Sequence, residues 1–366
     1  MRKESCKCIQ PICVLATIGG LFFGLFILGI SLATFRSGGG SNPSLRPANA
    51  CWRAEQALQQ EFDLWYSSFS FFYEDSDNAS LDNYALNEML ICEHNLLNLS
   101  YSLGHNQFSG MNSSQFEAWL KRGALDIEQM ANASFYYYYS GAGSAVAPET
   151  SVDWTSRQTA VKNQGACGSC YAYVATELVE NLVSVRNNNS YEELLSVEAI
   201  IDCDMANHGC GGGGIDTALQ YVQAAGGLAT EAAYPSEVSV STGNAGTCAS
   251  FTPEPGTLPS NIFYVNATSD AAVVEALQTT VIGIAFISNT PSFQLYSGGI
   301  FTGADCTGDV DHAMLMVGYD ATTYKLRNQW GENWGEQGYI RVARKAGDTG
   351  NGVCNILKYS GVVVVD

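Results

Sequence analysis

Apolar and polar positions divide the chain into segments of different character. No charged residue occurs from position 8 to 35, and the 24 residues of 12–35 can cross a ~30 Å hydrocarbon layer as a helix. A cleavable signal peptide has an apolar core of only ~7–15 residues. The pattern therefore favours a signal anchor at 12–35. A long cleavable signal, with Ser31-Leu32-Ala33 as a weak cleavage site, is the alternative.

The residues around this run predict its orientation. Three basic residues precede it, so residues 1–11 are expected to be cytoplasmic and the rest of the chain lumenal or extracellular. Residues 36–50 are rich in Gly, Ser and Pro, which is typical of a flexible linker. Palmitoylation and unpaired thiols both remain open for three cysteines close to the membrane: Cys6, Cys8 and Cys13.

Asparagines in glycosylation sequons support a secretory route. Six lie after the apolar run: Asn78, Asn98, Asn112, Asn132, Asn188 and Asn266. We expect a single-pass membrane protein of a lysosome-like, vacuolar or endocytic compartment, or secretion after processing.

Two longer segments follow the linker. Residues 51–147 are polar with a helical tendency, whereas residues 148–366 are rich in glycine and contain short apolar runs typical of strands, at 281–287, 313–319 and 362–365. After Cys170 the apolar spacing becomes helical and predicts one buried face: Ala172, Ala175, Leu178, Val179 and Leu182. The second segment therefore mixes helices and strands.

Charge and composition exclude two broad classes of protein. The net charge is −19, which argues against a nucleic-acid binder that works through a basic surface. Hydrophobic residues make up 46% of the chain, which argues against general disorder. Acids outnumber bases in both segments, by twelve to three in 51–146 and by 23 to nine from 148 onward.

The second segment contains the residues for thiol chemistry. Cys170 begins the predicted helix, where unpaired N–H groups favour a thiolate, so we expect a lowered pKa and a nucleophile. His312, at the start of an apolar strand, is the candidate base, and Asn328 is placed to hold its tautomer while Trp330 shields that contact. His208, beside a Gly-Cys-Gly-Gly loop, is predicted to be a surface residue.

Several motifs in residues 148–366 agree in order and spacing with one family. They are Val152-Asp153-Trp154, the stretch from Lys162 to Cys170, Gly209-Cys210-Gly211-Gly212-Gly213, Val310-Asp311-His312-Ala313, and Asn328-x-Trp330-Gly331-x-x-Trp334-Gly335. This segment resembles the papain-family cysteine proteases, which include the lysosomal cathepsins. The resemblance implies an α+β fold with a helical subdomain that holds the nucleophile helix, a β-barrel-like subdomain, and a cleft between them.

The resemblance also implies a role for each matching residue. Cys170 is the nucleophile, His312 the general base and later acid, Asn328 its orienting group, and the Gln164 side chain forms the oxyanion hole with the Cys170 N–H. Gly212 and Gly213 would pair with an extended substrate, and Gly214 leaves the adjoining side open. Further substrate contacts are implied for Asp311 and Trp330. A specificity pocket for a medium apolar side chain is implied at Ile215, Ala285, Val310 and Tyr359.

Disulfides follow from the same resemblance: Cys167–Cys210, Cys203–Cys248 and Cys306–Cys354. Cys170 is then left single in this segment, as a reactive thiol would be. Cys51 and Cys92 could pair with each other, remain thiols or link two chains. No metal or other cofactor is expected.

The segment 51–147 resembles the inhibitory propeptide of the family. Tyr84-x-x-Asn87-x-x-x-Ile91-x-x-x-Asn95 matches the second half of the propeptide's long-helix signature, and Gly104-x-Asn106-x-Phe108 matches its second motif. The acidic and basic residues that the family places at positions 76, 80 and 110 are Ser76, Ser80 and Gly110 here. We therefore expect the shape of the propeptide to be retained and a charge network to be lost.

The leading hypothesis is a cysteine endopeptidase made as a membrane-anchored zymogen. Its expected partners are protein or peptide substrates, its own propeptide and the membrane, but no nucleic acid. An exopeptidase is disfavoured because no occluding insertion with paired histidines lies between Cys210 and Cys248. A catalytically silent binding protein is disfavoured because all four catalytic residues are present. The third class is another Cys-His acyl transferase or a structural glycoprotein. The glycine-rich substrate ledge, formed by Gly212 and Gly213, argues against this class.

Overall fold

Helices and strands alternate through the computed structural model, which describes residues 51, 53–73, 80–120, 123–132, 149–188, 191–266 and 269–366. The expected cytoplasmic, anchor and linker segments, 1–11, 12–35 and 36–50, lie outside these residues. Within the described part of the chain, no helix is both long and apolar enough to cross a membrane.

An N-terminal helical segment (residues 51–132) precedes the mixed α/β part. Its helices are α1 (Glu55–Phe69), α2 (Leu81–Leu96), α3 (Ser113–Leu120) and α4 (Glu128–Ala131), and its strands are β1 (Tyr101–Leu103) and β2 (Ala124–Leu125). Ser80 is the N-cap of α2, where its side chain accepts a hydrogen bond from the Asn83 N–H at 3.0 Å. The serine that replaces a family charge at position 80 therefore caps the start of α2.

The remaining elements belong to the α/β part. The helices are α5 (Cys170–Arg186), α6 (Glu198–Cys203), α7 (Ile215–Ala225), α8 (Glu237–Thr242), α9 (Asp270–Leu277) and α10 (Pro291–Gln294). The strands are β3 (Val152–Asp153), β4 (Gly212–Gly213), β5 (Asn261–Val265), β6 (Ile282–Phe286), β7 (Tyr296–Phe301), β8 (His312–Tyr319), β9 (Thr323–Arg327), β10 (Tyr339–Ala343) and β11 (Gly361–Val365).

The main sheet has the order β1-β7-β10-β9-β8-β6-β11-β5, and β3 adds to β8. Neighbours are antiparallel except β7 and β10, which are parallel. The sheet is open, because the pairing ends at β1 and β5 among the described strands. The N-terminal helical segment supplies β1, so it extends the sheet of the α/β part. The three strands predicted from apolar runs correspond to β6, β8 and β11.

Strand β8 separates two apolar cores because its side chains alternate between the faces of the sheet. Met314 and Met316 belong to the core that includes the N-terminal helical segment, whereas Ala313, Leu315 and Val317 pack with α5. The two-core arrangement places the N-terminal end of β8 beside the N-terminus of α5.

Helix α5 is buried far more completely than the sequence predicts. The spacing predicted one apolar face, but every residue from Cys170 to Ser184 is buried, including Glu177 and Glu180. The one-face prediction is wrong because α5 packs against α7 on one side and against β8 and β11 on the others.

Four disulfides cross-link the described residues. Three join the pairs that the family resemblance implies: Cys167–Cys210, Cys203–Cys248 and Cys306–Cys354. The fourth joins Cys51 to Cys92 on α2, which resolves the alternatives left open for these two residues. Cys170 is the single cysteine of the described chain outside a disulfide.

Five of the six sequon asparagines are described, and all five are exposed: Asn98, Asn112, Asn132, Asn188 and Asn266. Asn78 lies outside the described residues. His208 is exposed, as predicted.

Candidate active site

Two element ends bring the predicted nucleophile and base into one region. Cys170 is the first residue of α5, and His312 is the first residue of β8. Both are almost fully buried, with exposed fractions of 4% for Cys170 and 2% for His312. The neighbouring Ala285 lies opposite Ala313 in the β6–β8 ladder, so this ladder forms one wall of the site.

The hydrogen bonds of Asn328 determine the tautomer of His312. The Asn328 Oδ1 atom lies 2.8 Å from His312 Nε2 and accepts a second hydrogen bond from the Gln329 N–H at 2.9 Å. An amide oxygen can only accept, so Nε2 carries the proton of the neutral ring. The unprotonated nitrogen is therefore Nδ1, which is able to take a proton from a thiol.

Trp330 covers this pair and contacts Gln164. Its indole stacks on the His312 ring with centroids 4.9 Å apart and planes at 28°. Its Nε1 donates to Gln164 Oε1 at 3.2 Å, while Gln164 Nε2 donates to the Cys167 carbonyl at 2.7 Å. One hydrogen of the Gln164 amide is thus engaged within the chain, and a primary amide carries a second one.

The N-terminal helical segment packs an aromatic plug, defined as Phe108, Phe116 and Trp119, against Trp330. The ring centroids of these residues lie 5.0, 5.8 and 5.5 Å from that of Trp330, with steep interplanar angles. Such edge-to-face contacts stabilise by about 0.5–1.5 kcal/mol each beyond area burial. The plug therefore excludes solvent from the indole and from the imidazole beneath it.

Polar bonds hold the plug in register. Gln107 Nε2 donates to the Trp330 carbonyl at 2.7 Å, and Asn106 Nδ2 donates to the Gln294 carbonyl at 2.7 Å. Gln294 Nε2 in turn donates to the carbonyls of Phe108 and Met111 at 3.0 and 3.1 Å. These bonds are buried, so their loss would leave unsatisfied polar groups.

A strand of the N-terminal helical segment lies along the predicted substrate ledge. Ala124 and Leu125 pair in parallel with Gly212 and Gly213, and the Asp126 N–H donates to the Gly213 carbonyl at 2.9 Å. Gly212 has φ +105°, and a Cβ on it would lie 2.0 Å from the Ala124 carbonyl oxygen. This close approach requires glycine. The substrate ledge at Gly212 and Gly213 is therefore covered by Ala124 and Leu125 while the N-terminal helical segment is in place.

The expected specificity pocket lies in an apolar cluster that the same segment helps to fill. Ile215, Ala285 and the segment's Met130 are buried in this cluster. Other residues pack against it with partial burial: Leu125, Ile127, Val310 and Tyr359. Gly214, the N-cap residue of α7, donates its N–H to Asn207 Oδ1 at 2.8 Å.

Asp311 is a partly buried acid that directly precedes His312. Its Oδ1 accepts hydrogen bonds from the N–H and the hydroxyl of Ser288 at 2.7 and 2.9 Å. Burial raises the pKa of this carboxyl, whereas the bonds from Ser288 oppose that shift.

Burial makes the neutral forms of the Cys–His pair the stable ones. Burial raises the pKa of the Cys170 thiol to about 11, against a smaller lowering by backbone hydrogen bonds. Burial also lowers the pKa of His312 to about 4, although the Asn328 bond opposes this shift. The lowered Cys170 pKa expected from the helix N-terminus is therefore wrong for this form, because burial outweighs the helix dipole.

Charged groups in the N-terminal helical segment form a network different from the family's. Glu88 on α2 binds Arg53 through Nη2 at 3.0 Å and His105 through Nε2 at 3.0 Å. The His105 ring stacks on Tyr84 with centroids 4.2 Å apart. The family charges at 76, 80 and 110 are absent, and the Arg53–Glu88 pair beside the Cys51–Cys92 disulfide is a charge contact at other positions.

Some site residues were missed from the sequence. Contacts between the N-terminal helical segment and the α/β part are made by Gln107, Met130 and Gln294. Isolated polar or apolar residues such as these carry no periodic signal. The single glycine after Trp119, Gly123, was also missed. A Cβ on Gly123 would lie 2.0 Å from the Gly168 carbonyl oxygen, two residues before Cys170.

The comparisons with known proteins agree with this geometry. The family model described as papain family cysteine protease matches residues 147–363. The chain belongs to the papain family. Chymopapain of Carica papaya is 31% identical over 347 residues, covering 91% of this chain and 92% of that protein. Vignain of Vigna mungo is 31% identical over 317 residues, covering 83% of this chain and 84% of that protein.

A solved proform matches the chain across both segments. Digestive procathepsin L 3 of Tenebrio molitor larval midgut superposes with a TM-score of 0.70 at 27% identity, covering 84% of this chain and 99% of that one. The chain is thus a papain-family cysteine protease zymogen with an inhibitory propeptide, and its N-terminal helical segment is hereafter called the prosegment.

Burial of the pair predicts low thiol reactivity in the zymogen. At pH 5–8, Cys170 of the intact chain should alkylate with iodoacetamide at least about tenfold more slowly than after prosegment removal, because a thiol with its pKa near 11 holds little thiolate. Stopped-time mass spectrometry of the Cys170 peptide measures both rates. Equal rates and equal pH profiles before and after removal would contradict the burial argument.

Acid should favour opening of the prosegment. The pKa of His105, like that of His312, is lowered by burial, so the closed form binds protons more weakly than the open form. The two histidines therefore contribute their full stabilisation of the closed form above pH ~6.5. This contribution is lost as the pH falls towards 4. Glu88, Glu61 and Arg53 face His105, and Asp311 near Cys170 acts in the opposite direction because its pKa is raised.

Limited proteolysis of the Cys170→Ala zymogen between pH 7 and 4 measures this opening without self-cleavage. His105→Gln should move the midpoint to lower pH because one titrating group is removed. His208→Gln, at an exposed histidine, should leave it unchanged. A cleavage rate independent of pH over this range would refute the sign of the effect.

Proposed function

We propose that the chain is an endopeptidase in which Cys170, His312, Asn328 and Gln164 are the catalytic residues. The observation that carries this proposal is the Asn328–His312 bond, which leaves His312 Nδ1 as a base beside the single non-disulfide cysteine of the described chain. Transfer of the thiol proton to this free nitrogen gives a thiolate–imidazolium pair, and the thiolate is the nucleophile of thiol catalysis.

The reaction proceeds in two halves. His312 Nδ1 takes the thiol proton, and the Cys170 thiolate attacks the scissile carbonyl carbon. The imidazolium then gives its proton to the leaving amine as the C–N bond breaks, which leaves a thioester on Cys170. In the second half His312 deprotonates water, which attacks the thioester, and the carboxylic product leaves as the thiol is restored.

The oxyanion of each tetrahedral intermediate is stabilised by two donors. The Cys170 N–H lies in the first turn of α5, where backbone N–H groups have no acceptor inside the helix. The second donor is the remaining Gln164 amide hydrogen, and the Trp330 bond to Gln164 Oε1 fixes the orientation of that amide. Preorganised donors of this kind contribute about 2.7–4 kcal/mol each to transition-state stabilisation.

Substrate selection depends on the ledge and the apolar pocket. Gly212 and Gly213 pair with substrate backbone after the prosegment strand leaves, as they pair with Ala124 and Leu125 before. Ile215, Ala285 and Tyr359 select a medium apolar side chain. Support comes from the prosegment itself, since its Leu125, Ile127 and Met130 pack in the same apolar cluster.

Active-site labelling tests the proposed catalytic role. After prosegment removal at mildly acidic pH with reductant, an epoxysuccinyl probe should label the wild-type enzyme, and Cys170→Ala should abolish both labelling and peptide hydrolysis. In the Asn328→Ala variant, the probe should label Cys170 more slowly, because Asn328 no longer holds the tautomer of His312. Peptide hydrolysis by the Cys170→Ala enzyme at the wild-type rate would exclude this mechanism.

We propose that residues 12–35 anchor the zymogen in a membrane with the catalytic part on the lumenal side. Its support is the length of the uncharged run, the basic residues before it and the exposed sequon asparagines. A secretory or vacuolar location is compatible with this orientation.

Carbonate extraction of membranes tests the anchor. The intact chain should stay in the pellet with its N-terminal peptide detectable by mass spectrometry, and glycosidase treatment should lower its mass. Recovery of a membrane-bound zymogen without residues 12–35 would exclude the signal anchor and support the cleavable signal.

A further inference from the structure

Helix α5 carries a fully buried carboxylate on the same side as the nucleophile. Glu177 follows Cys170 by seven residues, about two helical turns, and has an exposed fraction of 0%. Its Oε1 lies 3.3 Å from the Nε of Arg327, which is also fully buried and directly precedes Asn328. The ion pair therefore connects the nucleophile helix to the segment that orients the base.

We propose that Glu177 is a positioning residue that, through Arg327 and Gln329, holds the segment 327–330 against His312 and Gln164. This inference rests on the proposed function, because it assigns Glu177 a role in aligning the groups that carry out the reaction.

Gln329 makes the connection. Its side-chain Nε2 donates to Glu177 Oε2 at 3.3 Å. Its backbone N–H donates to Asn328 Oδ1 at 2.9 Å, and its backbone carbonyl accepts from the Gln164 N–H at 2.8 Å. A shift of Gln329 thus moves both the acceptor of the His312 proton and the residue that supplies an oxyanion donor.

The location of the ion pair argues for a role beyond stability. Removing two charges from water costs several kcal/mol per ion, and an apolar pair of similar volume is often equally stable. Arg327 also donates a hydrogen bond from Nη2 to the Ala160 carbonyl at 2.5 Å. Burial raises the pKa of Glu177, whereas Arg327 and then Lys162 favour its ionised form. The Glu177–Arg327 charge contact, together with the hydrogen bonds of Gln329 Nε2 to Glu177 and of Arg327 Nη2 to Ala160, favours one position of segment 327–330, which apolar packing alone does not specify.

Glu180 offers a matched control on the same helix. It is 2% exposed, and it binds Lys162 at 2.5 Å, the Thr159 hydroxyl at 2.7 Å and the Leu195 N–H at 2.7 Å. None of these partners belongs to segment 327–330. Glu180 and Glu177 thus share burial, helix and charge. They differ in that Glu177 contacts Arg327 and Gln329 directly, whereas Glu180 reaches Arg327 only through Thr159, whose hydroxyl accepts from Arg327 Nη2 at 3.4 Å.

The test compares Glu177→Gln, Gln329→Met and Glu180→Gln after prosegment removal, with active enzyme counted by epoxysuccinyl titration. Glu177→Gln should lower kcat about 10- to 100-fold with KM changed less than about twofold, since small misplacements of reacting groups have effects of this size. It should also move the alkaline limb of the pH–rate profile to lower pH, because a displaced Asn328 stabilises the imidazolium less. Glu180→Gln should lower Tm but leave kcat and the profile unchanged.

Gln329→Met keeps the Glu177–Arg327 pair and removes only the hydrogen bond from the Gln329 side chain to Glu177, so it provides the test if Glu177→Gln does not fold. It should shift kcat and the alkaline limb in the same directions. Wild-type kcat and profile in Gln329→Met, or equal effects of Glu177→Gln and Glu180→Gln, would overturn the inference. An inactive, unlabelled wild-type enzyme would instead refute the proposed function.

Discussion

The Trp330 indole is the contact on which both the site and its inhibition depend. One face stacks on His312, its Nε1 donates to Gln164, and its edge and remaining surface receive the aromatic plug of the prosegment. The same side chain therefore shields His312, orients the Gln164 amide and anchors the prosegment. Trp330 also packs on Phe293 and Trp334, and these two contacts do not involve the prosegment.

Inhibition has an electrostatic as well as a steric part. The prosegment covers the ledge and buries the Cys170–His312 pair, so the neutral thiol and imidazole are the stable forms. Both halves of the zymogen carry excess acid, so their contact cannot rely on opposite net charge. It relies instead on aromatic packing, on buried amide hydrogen bonds from Asn106, Gln107 and Gln294, and on strand pairing by β1 and β2.

The sequence was most informative where chemistry and spacing coincide. Motifs around Cys170, His312 and Asn328 located the site, and the apolar runs located β6, β8 and β11, because local residue order encodes both. Long-range effects were not readable. The predicted lowered pKa of Cys170 considered only its own helix, whereas the burial that raises it involves residues distant in the sequence, since the apolar cluster around Cys170 includes Met130 and Ala313. The Arg53–Glu88 contact was not readable for the same reason, since Arg53 reaches Glu88 from outside α2. Glu177 broke the apolar pattern of α5, and its partner Arg327 lies 150 residues away.

The protonation state of His312 tests the central claim most directly, namely that prosegment burial holds the catalytic pair neutral. Nitrogen-15 NMR of the histidine side chains, with a His312→Gln spectrum for assignment, reports that state in both forms because the chain contains only four histidines. At pH 6 the zymogen should show a neutral His312 with the proton on Nε2, and the form without its prosegment should show an imidazolium. An imidazolium at His312 in the intact zymogen at pH 6 would contradict the account.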